Sequence, residues 1–357
     1  MTANPARPRR ATIADIAEQA GVSKGAVSYA LNGQPGVSEA TRERILAIAA
    51  ELGWYPNRAA RALSAAHADA CGLVIARPSR IIALEPFFME FISGVEAALS
   101  SRGSALTIQL VRDPEEEVQV YRRWWGERRV DGVMLVDLRA DDPRIAEVVR
   151  LGLPAVVVGG PVEGDAVPAV WQDEASSTAE VVRYLAALGH ERISRVGGVA
   201  DFVHNRLRSA AFLETAGQLG VGADVVDTDY TPASGTRATR TLLSRPDRPT
   251  AIVYDSDVLA VTGLGVAHQM GFDVPGDVSI VGWDDSLICR VVHPPLTAMS
   301  RDIVGYGAEV GRRLLAEIDG TATGNVLAAP GELTPRASTG PPAALRVARP
   351  VARQPRG

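Results

Sequence analysis

The sequence predicts an α/β protein in which a small all-α head precedes two doubly wound lobes built on parallel sheets. In the first part of the chain the apolar residues recur with helical spacing, and no strand-like run interrupts them. From Cys71 onward, short apolar runs alternate with longer amphipathic segments, a pattern typical of parallel strands covered by helices. These elements are too many for one sheet, so we expect two Rossmann-like lobes with ligands bound in the crevice between them.

The composition is that of a globular chain and excludes several classes of protein. The 357 residues carry a formal net charge of −5 and are 46% hydrophobic, which excludes wholesale disorder. Two cysteines, Cys71 and Cys289, cannot form a disulfide framework or a cysteine zinc module, and the five histidines lack ligand spacing. We therefore expect no metal and no cofactor. No apolar run approaches the roughly 18 residues of a membrane span, and the N-terminus lacks the apolar core of a secretory signal, so we expect a cytoplasmic protein.

Charge is unevenly distributed along the chain. Residues 1–66 carry eight basic and five acidic side chains, a net charge of +3, so the rest must sum to −8. A basic head on an acidic body suggests that the head binds a polyanion.

The head, residues 1–55, reads as three short helices. Thr12 is a good N-cap for a first helix that Gly21 ends, and Ser23 caps a second helix, Lys24 to Leu31. A third helix is predicted from Ser38 or Glu39 to about Leu52. Two helices joined by a tight glycine turn and closed by a third form the helix-turn-helix plan; a three-helix bundle that serves as an assembly cap is the alternative.

The identities of the head residues indicate a protein family, which their helical spacing alone does not. ATIADIAEQAGVSKGAVSYALNG and GVSEATRERILAIAAELGWYPNRAARAL, within residues 11–64, closely resemble the head of the lactose-repressor (LacI/GalR) family of transcription regulators. The resemblance implies a recognition helix in the major groove, with Lys24, Gly25 and Tyr29 at its base-reading positions. It also implies phosphate contacts from hydroxyl and amide side chains, namely Thr12, Ser23, Ser28, Asn32 and Thr41. Capping and turn formation is the simpler role for these five.

Residues 56–69 are predicted to form a hinge helix and linker. Pro56 suits a helix start, and the two following turns are too short to be stable alone. The segment looks like the family's hinge helix, which folds on DNA; Asn57 would contact the DNA, and Leu63 matches the side chain that wedges between base steps. A plain linker is the alternative.

The body also resembles this family's core, which is similar to periplasmic sugar-binding proteins. Over about residues 70–340 the resemblance is carried by EPFFMEFISGVEAAL, RRVDGVMLV, RYLAALGHERI, NRLRSAAF, PTAIVYDSDVLAVTGLGVAHQMG, VPGDVSIVGWDDS and HPPLTAMSRD. We expect a core over 70–335, with an N-lobe of about 70–164 and 297–328 and a C-lobe of about 165–296 and 329–340. The chain would cross between lobes near Val162–Val167, Leu296–Met299 and Leu327–Pro330.

The resemblance also places an effector site between the lobes. Arg208 matches the arginine that grips the ligand, and Asp284 matches the carboxylate that pairs with ligand hydroxyl groups, a combination that suits a polyol. Tyr230 matches a stacking aromatic, Ser256 stands where asparagine is common, and Phe87, with Phe88, matches a wall of the N-terminal lobe. A structural Arg–Asp ion pair and plain core phenylalanines are the alternatives.

The motifs that could indicate an enzyme are incomplete in this sequence. Asp255-x-Asp257 and Asp284-Asp285 lie at strand ends without a third metal ligand, which favours helix capping and lobe contacts, and Gly263-x-Gly265 falls inside a helix pattern.

Residues after Arg336 contain four prolines, four arginines and no acid, so we expect disorder there and a disordered basic tail over 341–357. The tail lacks the apolar heptads of a tetramerisation helix, so we expect a homodimer.

Together these features predict a homodimeric, effector-controlled transcription regulator and not an enzyme. It would repress carbohydrate genes from a pseudo-palindromic operator in double-stranded DNA, and its effector would be a sugar or sugar derivative. The alternative is a cytoplasmic small-molecule binding protein that retains a vestigial head. The intact segment 11–64 favours the regulator.

Overall fold

The computed structural model describes residues 11–54, 67–160, 166–321 and 324–343. The chain divides between Ala68 and Asp69 into two compact units, the head and the core. Each unit is described separately.

The head consists of three helices packed around a small apolar core. Their bounds are α1 Ile13–Ala20, α2 Lys24–Leu31 and α3 Glu39–Glu51. Thr12 caps α1, and Gly21 ends it with a φ of 65°, a left-handed conformation that glycine adopts without strain. The side chains that fill the core are Ile16, Ala17, Ala20, Val27, Ala30, Ile45 and Ala49. The helix-turn-helix prediction is confirmed.

The N-lobe of the core is a six-stranded parallel sheet with helices on both faces. Its strands are β1 Ala70–Ile75, β2 Ala105–Leu110, β3 Gly132–Leu135, β4 Ala155–Val158, β5 Ala169–Trp171 and β11 Val326–Leu327, in the order β11-β5-β4-β3-β1-β2. Its helices are α4 Ser79–Ile82, α5 Pro86–Ser100, α6 Pro114–Gly126, α7 Pro143–Leu151 and α13 Ile303–Ile318.

The C-lobe repeats this plan, with one antiparallel strand at the edge of its sheet. Its strands are β6 Arg192–Gly197, β7 Gly222–Asp227, β8 Ala251–Tyr254, β9 Ser279–Asp284, β10 Thr297–Ser300 and β12 Glu332–Thr334, in the order β12-β10-β9-β8-β6-β7. Its helices are α8 Glu174–Ala187, α9 Val203–Gln218, α10 Pro232–Leu243, α11 Asp257–Gln269 and α12 Leu287–Val291. The two predicted Rossmann-like lobes are confirmed.

Two of the predicted lobe boundaries are wrong. Residues 169–171 were assigned to the C-lobe and not predicted as a strand, yet they form β5, which pairs with β4 and β11 of the N-lobe, so the first crossing follows Trp171. Residues 297–300 were assigned to the N-lobe and not predicted as a strand, yet they form β10, which pairs with β9 and β12 of the C-lobe, so the second crossing follows Ser300. The third crossing, between β11 and β12, lies where it was predicted. Both errors concern strands of three or four residues whose lobe is decided by distant hydrogen-bond partners.

Helices α5 and α13 approach closely through glycines. A Cβ at Gly94 would lie 1.9 Å from the carbonyl oxygen of Val304, and one at Gly307 would lie 2.2 Å from that of Phe91. Only glycine permits this contact between backbones, which ties a late segment of the chain to the first helices of the N-lobe.

The expected disorder directly after Arg336 is wrong for residues 337–340. Ser338 is fully buried, and its hydroxyl donates to the carbonyl oxygen of Ile280 at 2.6 Å and accepts from the amide of Thr297 at 2.8 Å. Gly340 also binds Ser279 through its amide. This strip is held against the C-lobe sheet by hydrogen bonds to β9 and β10. Residues 344–357 lie outside the described part. No helix of the described residues is long and apolar enough to cross a membrane.

Candidate functional site

The exposed face of α2 carries the three residues predicted to read bases. Lys24, Gly25 and Tyr29 face solvent, with Tyr29 48% exposed, while Val27 and Ala30 hold the helix on the head core. A Cβ at Gly25 would meet nothing nearer than the Ser23 hydroxyl oxygen at 3.7 Å, so packing within the head does not require glycine there. The surface is free to lie against an extended partner.

The residues predicted to contact phosphates also cap and brace the head helices. Thr12 forms a capping box with Asp15, and the Ser23 hydroxyl accepts from the amide of Ala26 at 3.1 Å, so the capping role is confirmed for both. The Ser28 hydroxyl accepts from the Asn32 amide group at 3.3 Å, and the hydroxyls of Thr41 and Ser38 are 2.9 Å apart.

The predicted hinge helix, with Asn57 and Leu63, lies outside the described residues.

The core contains a cleft between its lobes, at the carboxyl ends of strands from both sheets. It encloses about 740 Å³, a space that includes its open mouth. All five side chains predicted for the effector site line this cleft, namely Phe87, Arg208, Tyr230, Ser256 and Asp284. Phe88 does not line it; Phe88 is buried and packs edge-to-face against Phe87, with ring centroids 5.4 Å apart.

Arg208 is anchored from three sides. Its Nε donates to Glu174 Oε2 at 2.6 Å, its Nη1 lies 3.8 Å from Asp255 Oδ1, and its guanidinium packs 4.4 Å from the centroid of the Trp283 ring. These contacts fix the guanidinium on the cleft wall, while Nη2 has no partner among the described residues and is available to a ligand.

Asp284 belongs to an ion-pair network that joins the crossing segments. Arg301, directly after β10, donates to Asp284 Oδ1, to Gln172 Oε1 at 2.7 Å and to Glu174 Oε1 at 3.0 Å. Gln172 and Glu174 belong to the first crossing and Arg301 to the second. Arg301 therefore connects two of the three crossings to the floor of the cleft.

Arg77 forms the opposite wall, and sequence reasoning missed it. Its guanidinium makes a two-pronged contact with Asp137, at 2.6 and 2.7 Å, and donates to Glu85 Oε2 at 3.0 Å. Its Cζ lies 5.0 Å from the ring centroid of Phe202 and 4.6 Å from that of Tyr230. Because these two aromatics belong to the C-lobe, Arg77 is packed between the lobes.

Tyr230 adopts a backbone conformation that bulky residues avoid. Its φ of 64° is left-handed, which costs about 1–3 kcal/mol for a residue with a large side chain. The conformation aims the ring into the cleft, where the hydroxyl lies 3.1 Å from His204 Nε2. Burial, reinforced by the nearby Arg208, lowers the pKa of His204 to about 4, so this imidazole is neutral at pH 7.

The cleft carboxylates differ in how easily they ionise. Burial disfavours the charged form of Glu174, but Arg208 and Arg301 outweigh burial and hold its pKa at about 2. Burial raises the pKa of Glu85 to about 7 despite Arg77, and burial with the nearby Asp284 raises that of Asp257 to about 6.

The two acidic pairs considered above as metal ligands instead bind other groups of the protein. Asp255 pairs with Arg195, and Asp257 accepts from the Ser286 amide at 2.8 Å and from the Cys289 thiol at 2.9 Å. Asp285 binds Arg336 through both oxygens. The helix capping expected of these acids falls instead to Ser256, whose hydroxyl accepts from the Leu259 amide. Among the described residues no group of acidic, histidine and cysteine side chains is arranged to hold a metal ion.

Several cleft residues that sequence reasoning missed share a detectable signal. Arg77, Asp137 and Asp255 each follow a buried strand by one or two positions, where the carboxyl edge of a parallel sheet delivers side chains to a ligand site. Glu174 and Arg301 offered no such signal, because the strands that precede them were not predicted.

Comparison with known proteins matches both units. Residues 12–57 match the model of bacterial regulatory proteins of the lacI family, and residues 182–339 match that of a periplasmic binding protein-like domain. The HTH-type transcriptional regulator CelR of Thermobifida fusca is 34% identical over 324 residues, which cover 89% of this chain and 94% of CelR.

Solved structures of two regulators have a similar fold. A complex of the regulator CelR with cellobiose superposes with a TM-score of 0.71 at 32% identity, over 92% of this chain and all of that one. A lac repressor dimer bound to operator and an anti-inducer superposes with a TM-score of 0.81 at 26% identity, over 93% of this chain and all of that one. These relatives are transcriptional regulators and not enzymes. The chain therefore belongs to the LacI family and is a DNA-binding transcriptional regulator.

Proposed function

We propose that this regulator is a homodimeric repressor whose affinity for a pseudo-palindromic operator is set by a carbohydrate-like effector bound between its lobes. The observation that carries the proposal is the cleft, where Arg208, Asp284, Tyr230, Ser256 and Phe87 all line one cavity of about 740 Å³. The complex of the related CelR with cellobiose supports a sugar as the effector class.

The cleft wall suits a ligand rich in hydroxyl groups. Arg208 offers donors, Asp284 offers an acceptor oxygen that Arg301 leaves unused, and Ser256 offers both functions. Phe87 supplies a flat apolar surface for a sugar ring, and Tyr230, whose ring packs against Arg77, lines the same cavity. A polyol thus finds donors and acceptors beside aromatic side chains.

On the DNA side, α2 is the recognition helix. Lys24 would donate to guanine, Tyr29 would donate or pack against a thymine methyl, and Gly25 would permit close approach. The exposed hydroxyl and amide groups of Thr12, Ser28, Asn32 and Thr41 would bind phosphates alongside their bracing role, as would the Ser23 hydroxyl. Asn57 and Leu63 would contact the minor groove from a hinge helix that folds on the operator.

Effector binding would act by changing lobe closure. Arg77 and Arg301 join the lobes and the crossing segments at the cleft, so a ligand that displaces or tightens their contacts shifts the balance between lobe arrangements. Effector and operator affinities are then linked reciprocally, each changing the other by the same factor.

An exposed apolar face supports the dimer. Leu84, Met89, Leu287 and Val291 are all more than half exposed, and Leu287 is 71% exposed. Arg290 of α12 is close enough to Glu90 of α5 to lower the pKa of that carboxyl, although burial and Asp284 raise that pKa overall. A surface of this kind is rarely left exposed in a soluble chain. By sedimentation we expect Leu287→Arg to be monomeric and Leu213→Arg, on the exposed part of α9, to remain dimeric.

The primary test is selection of binding sites from a random DNA pool, followed by titration of the selected duplex in the presence of neutral mono- and disaccharides. We expect a palindromic motif, and at least one sugar that changes DNA affinity tenfold or more. Failure of every sugar to change the affinity would refute the effector assignment, and failure to select any motif, with or without sugars, would favour a binding protein with a vestigial head.

A further inference from the structure

The cleft has more carboxylates than guanidinium groups. Three arginines line it, and Arg195 lies behind its wall, paired with Asp255. His204 is neutral at pH 7. The acids that line the cleft are Glu85, Asp137, Glu174, Asp255, Asp257 and Asp284. With all six acids ionised they outnumber the four cations by two; because burial raises the pKa of Glu85 to about 7, this residue is only partly ionised at pH 7.

Two of these carboxylates each keep a buried oxygen without a donor. Glu85 Oε1 and Asp255 Oδ1 accept no hydrogen bond from the described residues, although the two residues are only 6% and 2% exposed. Arg208 Nη1 lies 3.8 Å from Asp255 Oδ1, beyond hydrogen-bond distance. Both acids lie close enough to Tyr230 to raise the pKa of its hydroxyl, which burial raises most. A buried carboxylate oxygen without a donor is costly, so a ligand that donates here recovers that cost.

Carboxylates of the two lobes also face each other. Among the described residues, the donors to Asp257 are neutral, namely the Ser286 amide and the Cys289 thiol. Asp284 and Asp257 of the C-lobe both raise the pKa of Glu85 of the N-lobe, next to the larger effect of burial. Bringing the lobes together therefore opposes like charges unless a positive group lies between them.

The arginines leave little for an anion to bind. Every nitrogen of Arg77 donates to Asp137 or Glu85, and every nitrogen of Arg301 donates to Asp284, Glu174 or Gln172. Of the three cleft arginines, Arg208 alone keeps a nitrogen, Nη2, that has no partner in the described part of the chain. The acids of the described residues are not grouped to hold a metal ion, so the missing positive charge would be organic.

We propose that the effector is an amino sugar whose ammonium group is bound by Glu85 and Asp255, an inference that rests on the proposed function. The hydroxyl groups of the sugar use Arg208, Asp284 and Ser256, and the ammonium group supplies donors to the two unpartnered oxygens. Among sugars of one skeleton, the cleft then binds the amino sugar most tightly, the neutral sugar less tightly and the sugar acid least tightly.

The test is calorimetric titration of the full chain with matched sets of mono- and disaccharides. Each set holds a neutral sugar such as cellobiose, its 2-amino counterpart and the corresponding sugar acid. In the set that binds most tightly we expect the amino sugar to bind at least tenfold more tightly than the neutral sugar, and the acid to bind least. Glu85→Gln and, independently, Asp255→Asn should lower this ratio to threefold or less, whereas Glu96→Gln, an exposed glutamate on α5, should leave it unchanged.

Two outcomes separate the proposals. A neutral sugar that binds as tightly as its amino counterpart in every set that binds, or a preference that survives both substitutions, overturns the ammonium site and leaves the carbohydrate effector standing. Absence of binding by all members of all sets refutes the carbohydrate effector and the ammonium site together.

Discussion

Replacement of Arg208 by glutamine is expected to abolish the response to effector and to lower stability, while operator binding without effector is retained. Arg208 is buried against Glu174, Asp255 and Trp283, and its remaining nitrogen faces the cleft. Glutamine is shorter and uncharged, so it reaches neither the ligand nor both carboxylates. The head is a separate compact unit with its own core, so its fold is not affected.

The size of the stability loss follows from Glu174. A pKa of about 2, against an ordinary value near 4.3, corresponds to about 3 kcal/mol of favourable interaction at neutral pH. Two arginines provide it against the cost of burial. Removal of one partner from a buried pair costs about 3–5 kcal/mol, and Arg301 remains, so we expect a loss of about 3 kcal/mol in the free energy of unfolding.

The assay compares Arg208→Gln with Arg206→Gln, an exposed arginine on the same helix. Urea unfolding at pH 7 gives the stability of both, and fluorescence anisotropy on the selected operator gives DNA affinity with and without the sugar that acts on the wild type. Arg206→Gln should match the wild type in all three measurements. If Arg208→Gln unfolds like the wild type, or still responds to the sugar at the same concentration, the assignment of Arg208 to a buried, ligand-facing position is refuted.

Three further predictions test other parts of the molecule. Lys24→Ala should cost about 1–3 kcal/mol on the selected operator and relax one base position; equal losses on unrelated DNA, measured by anisotropy, would contradict a base-reading role. Gly94→Ala should lower the free energy of unfolding, measured by thermal unfolding, by about 3 kcal/mol, because the added Cβ would clash with the Val304 carbonyl. The control Gly217→Ala, whose Cβ meets open space, should be neutral or stabilising. Burial raises the pKa of Glu85 to about 7, so its ionisation opposes folding. The free energy of unfolding of the wild type should therefore fall by up to about 3 kcal/mol relative to that of Glu85→Gln as the pH rises from 4.5 to 7.5. If urea unfolding gives the same difference between the two proteins at both pH values, the raised pKa of a buried carboxyl is refuted.

The sequence alone predicted the features that depend on neighbouring residues. Thr12, Gly21 and Ser23 mark the head helices because a cap needs only the next few amides, and the structure places each cap as expected. The alternation of apolar runs and amphipathic segments predicted two parallel-sheet lobes for the same reason, since each period is local. The five residues predicted for the effector site came from motifs, and all five line the cleft.

Tertiary structure decided whatever depends on distant partners. The segments that form β5 and β10 were not predicted as strands and belong to the lobes opposite to those predicted, because three or four residues carry too little pattern to choose between two sheets. Residues 337–340, polar and proline-flanked, are ordered only because β9 and β10 offer them hydrogen bonds. Arg77, Glu85 and Arg301 enter the site through contacts that link separate segments.

Local chemistry therefore determined which elements this chain forms and which family its motifs resemble, whereas the electrostatics of the cleft emerged only with the fold. Glu85 and Glu174 are the same residue type, yet burial raises the pKa of one to about 7 and two arginines hold the other at about 2. The difference comes from groups far away in sequence, because a charge responds to all that lies within a few ångströms of it and not to its neighbours along the chain.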